Sequence, residues 1–169
     1  MILAASAYEV VLAVHVMAVV VAFGVTFAYP IMFAVGASHD PRSLPLLHRV
    51  EYTIEQRLIN PGLLVVLVAG IYLASKGHHW SEFFVQWGLA VAIVIGALVG
   101  GVMIPTAKRA ELLAERDLAS AAARGQGGEG GAVGAMSNDY RALVRRLTFV
   151  GTLLSLLVLV TVAIMVIKP

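Results

Sequence analysis

Residues 11–30 read VLAVHVMAVVVAFGVTFAYP, with no lysine, arginine or carboxylate and a single histidine, His15, among aliphatic side chains. A neutral imidazole there could ligate a haem iron or another metal, or carry a proton. It could equally be packing glue, hydrogen-bonded across helices to a tyrosine or threonine. Helical residues turn by about 100° each, which sets Tyr8, Val11, His15, Ala18, Ala22, Thr26 and Tyr29 on one stripe. That stripe is small or polar and the opposite side is mainly valine, leucine and phenylalanine. The stripe is expected to face a bundle interior, because lipid offers an imidazole no hydrogen-bond partner.

The other chemistry-bearing residues are scattered. His78-His79, in KGHHW, cannot clip a metal on a helix because adjacent side chains diverge by about 100°. In a turn either ring could lean inward, and a solvated interfacial turn explains the pair as well. Gln86 is a candidate hydrogen-bond partner for His15. His39 and His48, with Asp40, Glu51 and Glu55 nearby, read as a solvated face and helix caps. Gly88, Ala92, Gly96 and Gly100 keep a four-residue spacing that permits close backbone approach, inside a bundle or at a homodimer interface. There is no cysteine, hence no disulfide or thiolate site. Phosphate-cradling glycine loops, a Ser-His-Asp arrangement and HExxH are absent from the sequence, and Glu9 and Glu82 fall at helix starts, so hydrolytic and metal-assisted chemistry are not expected.

The elements that must position these residues follow from composition. Of the 169 residues 60% are hydrophobic and 13% charged, with a mean hydropathy of +0.89, which is outside the range of soluble domains. Four apolar stretches, residues 10–35, 58–75, 82–104 and 147–167, approach the roughly 20 residues that cross a ~30 Å hydrocarbon core. His15 would lie ~8–10 Å inside the boundary at about 1.5 Å per residue. MILAASAYEVV has no basic residue ahead of the first stretch, which is expected to stay as a span. Residues 38–57 carry Leu44, Leu47, Val50, Ile54 and Leu58 at helical spacing, as an interfacial helix lying under the bilayer or leading into span two would. Residues 106–124 should extend the third helix, and the glycines within 125–138 a flexible linker. All lysines and arginines except Lys76 and Lys168 lie in the two long loops, net charge notwithstanding (+2), so those loops are expected in the cytoplasm and both termini outside. Arg57-Leu58, Gly62, Leu64 and Leu67 match Arg146-Leu147, Gly151, Leu153 and Leu156 at one offset, the mark of two repeated helical hairpins; leucine-rich spans also match by chance. The expected fold is an all-α, four-helix transmembrane bundle, N-out and C-out, forming a single domain over residues 1–169.

His15 followed by Phe23, Phe27 and Pro30, then Arg57-Leu58, Pro61 and Gly70, resembles the membrane proteins grouped around copper-resistance protein D and the HemJ-type protoporphyrinogen oxidase. With Trp87, Pro105, Lys108 and Arg109 added, the chain is most similar to an uncharacterised bacterial family of four-helix integral membrane proteins. The resemblance covers residues 8–110 and implies a bundle of the bacterial inner membrane that binds haem b, with His15 as an axial ligand. Gln86-Trp87 and Gly100-Gly101 stand where the oxidase pattern has a lysine and a Tyr-His, so oxidase activity is not carried over. Met17, Met32 and Met103 are not clustered as copper handling would favour. No other span contains a histidine at the depth of His15, so the second ligand would be His79 or His78, or come from a second subunit. The leading expectation is a haem-binding or redox-associated membrane protein, with a homo-oligomer or redox membrane partner and no nucleic acid. Its rivals are an accessory subunit without a cofactor and a small-solute or ion transporter.

Overall fold

The computed structural model describes residues 6–125 and 136–168; most of the expected glycine linker, at 126–135, lies outside the described residues. Among the described residues, seven α-helices make four long rods: α1 (Ala7–Gly24) and α2 (Tyr29–His39), α3 (Leu44–Ile54) and α4 (Asn60–Gly77), α5 (Phe83–Leu98) and α6 (Ile104–Ala123), and α7 (Asn138–Ile167). No strand occurs among the described residues. The rods, called spans one to four below, are each long and apolar enough to cross a membrane. Side-chain caps start the first and last: Ser6 and Glu9 form a capping box ahead of α1, and Ser137 accepts from the Tyr140 amide ahead of α7. Span two ends at His78, whose left-handed backbone (φ 55°) turns the chain toward α5.

Three prolines explain why three spans are jointed. A proline inside a helix removes one amide donor and pushes away the carbonyl four residues earlier. Pro30, Pro61 and Pro105 are each the second residue of a new helix, α2, α4 and α6. Immediately before them the chain forms a 3-10 turn (Val25–Ala28) and two π turns (Glu55–Ile59 and Val99–Met103). In the π turns Asn60 donates to the Glu55 carbonyl and Ile104 to that of Val99. Span four has no proline within it and runs its 30 residues unbroken.

In their principal contacts α1 packs along α4, α4 on α5 and α5 on α7, while α3 lies on α6 and α6 on α7. Span one meets span four chiefly through the 3-10 turn. Apolar residues from all four spans, among them Phe23, Ile59, Val91, Ile95 and Val158, form one buried cluster. A second joins Leu44, Met103, Ala107, Ala110, Ala114 and Tyr140, where the small side chains of α6 let α3 and α7 approach. Val20, Leu64, Ile93 and Phe149 stay exposed, as suits a surface solvated by lipid.

Of the two readings of residues 38–57, the helix leads into span two: α3 passes through the π turn straight into α4. Its covered side is wider than the apolar one read from spacing: Leu44 is buried, Leu47, Val50 and Ile54 are half-buried and Leu58 is exposed, while His48, Glu51, Glu55 and Ile59 beside them are buried. The polar stripe is covered by α6, α7 and span one.

Close approach is concentrated at a few glycines. A Cβ on Gly62 would sit 2.6 Å from that of Ala22, where neither backbone can yield cheaply; one on Gly96 would meet Leu63, and one on Gly88 would meet Met165 of span four. Ala92 is buried, while Gly100, inside the second π turn, is exposed with open space beside it. Gly62→Ala should therefore destabilise the detergent-solubilised protein by about 1–3 kcal/mol, the usual range for overpacking. Gly24→Ala, which meets nothing within 4 Å, should leave the thermal unfolding midpoint unchanged or slightly raised. Equal midpoints for the two variants would refute the Gly62 contact.

Candidate functional site

His48, Glu51 and Glu55 lie three and four residues apart, which puts them on one face of α3 and its π turn. They are 1%, 4% and 2% exposed, so the reading of a solvated face is overturned for them. His48 Nδ1 lies 3.1 Å from Glu51 Oε2, and Nε2 lies 3.1 Å from the Tyr140 hydroxyl of α7. With Glu51 ionised and the ring neutral, Nδ1–H donates to the carboxylate and the Tyr140 O–H donates to Nε2. Phe33 of α2 covers the ring, with centroids 4.7 Å apart. This network ties span two to span four. On the far side of α3, Arg49 donates to Glu111 at 2.6 Å and to Glu115 at 3.4 Å. Arg49 is largely solvated, so water screens both ion pairs and they contribute little to stability.

Glu55 and Tyr29 have no such partners. Glu55 Oε2 and the Tyr29 hydroxyl are buried without a hydrogen bond to any described residue, and each orphaned group costs about 1–3 kcal/mol. Both line a cavity of about 520 Å³, within the range of small-molecule sites. Phe23, Thr26, Phe27, Pro30 and Phe33 wall it from span one; Ile95, Val99 and Met103 from span three; Leu147, Thr148, Gly151, Thr152, Ser155 and Val158 from span four. All three proline-dependent turns contribute: Thr26 and Phe27 lie in the 3-10 turn, Glu55 and Ile59 in the first π turn, Val99 and Met103 in the second. The lining residues that are exposed, Phe27, Pro30, Ala34, Thr148 and Thr152, all belong to spans one and four. The cavity thus opens sideways, between spans one and four, which meet chiefly at the 3-10 turn. A second cavity of about 330 Å³, between Phe33, Leu44, Met136 and Tyr140, adjoins it.

His15 lies elsewhere. Its Nδ1 is 3.0 Å from the Val66 carbonyl of α4, and Gly70 makes room for the ring: a Cβ there would come within 3.3 Å of His15 Cε1. Span one's stripe is its covered side, with Tyr8, Val11, His15, Ala18 and Thr26 half-buried and Ala22 and Tyr29 buried. Thr26 donates to the Phe23 carbonyl. Gln86 donates to the Trp80 carbonyl at 3.3 Å and makes no bond to His15. His78 is exposed at the end of α4, and His79 packs near the Phe84 ring. No hydrogen bond or ring contact joins His15 to His78 or His79, and none of the three lines either cavity.

The sequence carried one signal for the cluster: three polar side chains on one face of a helix running into a span. The apolar face of the same helix outweighed it. No family model, curated protein or solved structure matches the chain.

Proposed function

We propose that the protein is a multi-pass membrane protein that takes a lipid-soluble small molecule into the cavity between spans one and four, with the molecule's polar end at Glu55 and Tyr29. One observation carries this reading: two orphaned, buried polar groups stand on the wall of an otherwise apolar cavity that opens to the side of the bundle. Native structures rarely leave buried polar atoms unpaired, and a ligand is a standard reason for the exception. The His48, Glu51 and Tyr140 network fixes the α3 face on which Glu55 is carried.

The test uses Nile red, a neutral lipophilic dye, with the delipidated protein. Saturable binding with blue-shifted emission is expected, weakened about tenfold or more in Gly151→Leu and Ser155→Leu, which fill the cavity without touching the polar cluster. Partition that never saturates and is the same in all three proteins would overturn the reading.

A second reading, haem b with His15 as axial ligand, is favoured by the Val66 bond. A histidine whose Nδ1 is tied to a backbone carbonyl presents Nε2 in a ligand's orientation. The porphyrin would need space that the two described cavities do not provide at His15, and a second ligand that His78 and His79 do not supply from their present contacts. A Soret band in protein from haem-replete cells, lost in His15→Ala, is the outcome this reading requires; a colourless preparation would remove it.

A further inference from the structure

The charge of the cavity selects among lipid-soluble ligands. Glu51 and Glu55 line it, and no lysine or arginine does. His48 is the one basic group among the lining residues, and both its nitrogens are already engaged by Glu51 and Tyr140. Even a protonated His48 would balance only Glu51 and leave Glu55 without a counter-charge. An anionic head would meet two carboxyls and no cation, which low-polarity surroundings make expensive. A cationic head would find a carboxylate, the Tyr29 hydroxyl oxygen and the aromatic side chains of Phe23, Phe27 and Phe33, all suited to positive charge.

Resting on the reading of the cavity as a small-molecule site, we infer that its ligand class is the lipophilic monocation: a quaternary ammonium or phosphonium ion, or a protonated hydrophobic amine, with Glu55 as its counter-charge. Threonines and a serine, Thr26, Thr148, Thr152 and Ser155, supply acceptors along the wall without adding charge. Entry is sideways from the bilayer, where such ions partition. A proton competes for the same carboxylate. The cation binds ionised Glu55; where that carboxyl is protonated, binding releases one proton to water, and the proton returns when the cation leaves. The titratable groups around Glu55 are Glu51 and His48 on its own rod, Tyr29 on span one and Tyr140 on span four. The stretch of span three that lines the cavity, residues 95–103, has none.

The experiment compares tetraphenylphosphonium with tetraphenylborate, ions of one shape and opposite charge, by equilibrium dialysis against detergent-solubilised protein with empty-micelle binding subtracted. The phosphonium should bind saturably and the borate should not. Phosphonium affinity should fall about tenfold per unit of decreasing pH on the acid side of the carboxyl's titration and level off above it. Glu55→Gln should weaken it about tenfold or more and flatten that pH profile, with an unchanged helical circular-dichroism spectrum and gel-filtration volume as the sign that the variant is folded. The wild-type comparison of the two ions stands even if that variant fails to fold. Borate binding as tight as phosphonium binding, or a Glu55→Gln protein that keeps both affinity and pH profile, would overturn the cation inference and leave the cavity reading standing. If neither ion nor Nile red binds saturably, both fall.

Discussion

In a bundle solvated by hydrocarbon, a polar side chain has only one place to find a partner, which is another helix. The rest of this structure depends on that constraint. Bulky apolar side chains such as Leu64, Ile93 and Phe149 are turned outward, and the described buried polar residues, His48, Glu51, Glu55, Thr106 and Glu111, are turned inward. Interhelical polar bonds tie several pairs of spans: His15 to the Val66 carbonyl joins one and two, Arg49 to Glu111 joins two and three, His48 to Tyr140 joins two and four, and Trp87 to Thr161 joins three and four. Such bonds average about 0.6 kcal/mol in membranes. They decide which helices meet and in what rotation, while packing at Gly62, Ala92 and Gly96 supplies the close fit.

The same constraint gives the prolines their effect. Each of Pro30, Pro61 and Pro105 disturbs backbone pairing one turn upstream, and in hydrocarbon the freed groups must be paired again by a 3-10 or π turn. All three turns border one cavity, so the space is a product of where three prolines fall in sequence and of how their spans are arranged around it. Spans one and four meet chiefly at the 3-10 turn, which leaves that space a side entrance. Packing that closed the entrance would also cover Phe27 and Thr152, the residues that form its lips. A site of this kind needs both features: a wall loosened by irregular helix, and polar groups the fold itself leaves unpaired.

Glu55 is where stability and function diverge. Pairing it with a lysine would lower the cost of burying a carboxyl, and none of the cavity's lining residues is basic apart from His48, which is bound elsewhere. The fold thus retains an unsatisfied group in a position a ligand can reach. Glu51, four residues earlier on the same face, is satisfied by His48, so the two neighbouring carboxyls differ in their freedom to engage a ligand because of one imidazole and one phenol.

Much was legible in the sequence. Uncharged apolar runs of bilayer length specify four spanning helices, because each run must pair its backbone within itself. The caps at Ser6 with Glu9 and at Ser137, and the joints ahead of Pro30, Pro61 and Pro105, emerged from the structure, although the residues that make them are local in the chain. The side of α3 that would be most fully covered was not legible. Its Leu44, Leu47, Val50, Ile54 and Leu58 stripe suggested an apolar contact face, and the fold covers much of it but buries the neighbouring face bearing His48, Glu51 and Glu55 more fully. Periodicity shows that a helix has an apolar and a polar side; it does not show how far round the helix its neighbours reach. The partners that decide it, Tyr140 at 92 residues from His48 and Tyr29 on span one, are brought to the cluster only by tertiary packing. Sequence alone therefore determined the spanning helices and their number through local backbone chemistry. The tertiary structure decided which polar groups are paired, which are orphaned and where the cavity lies, because those depend on contacts between residues far apart in the chain.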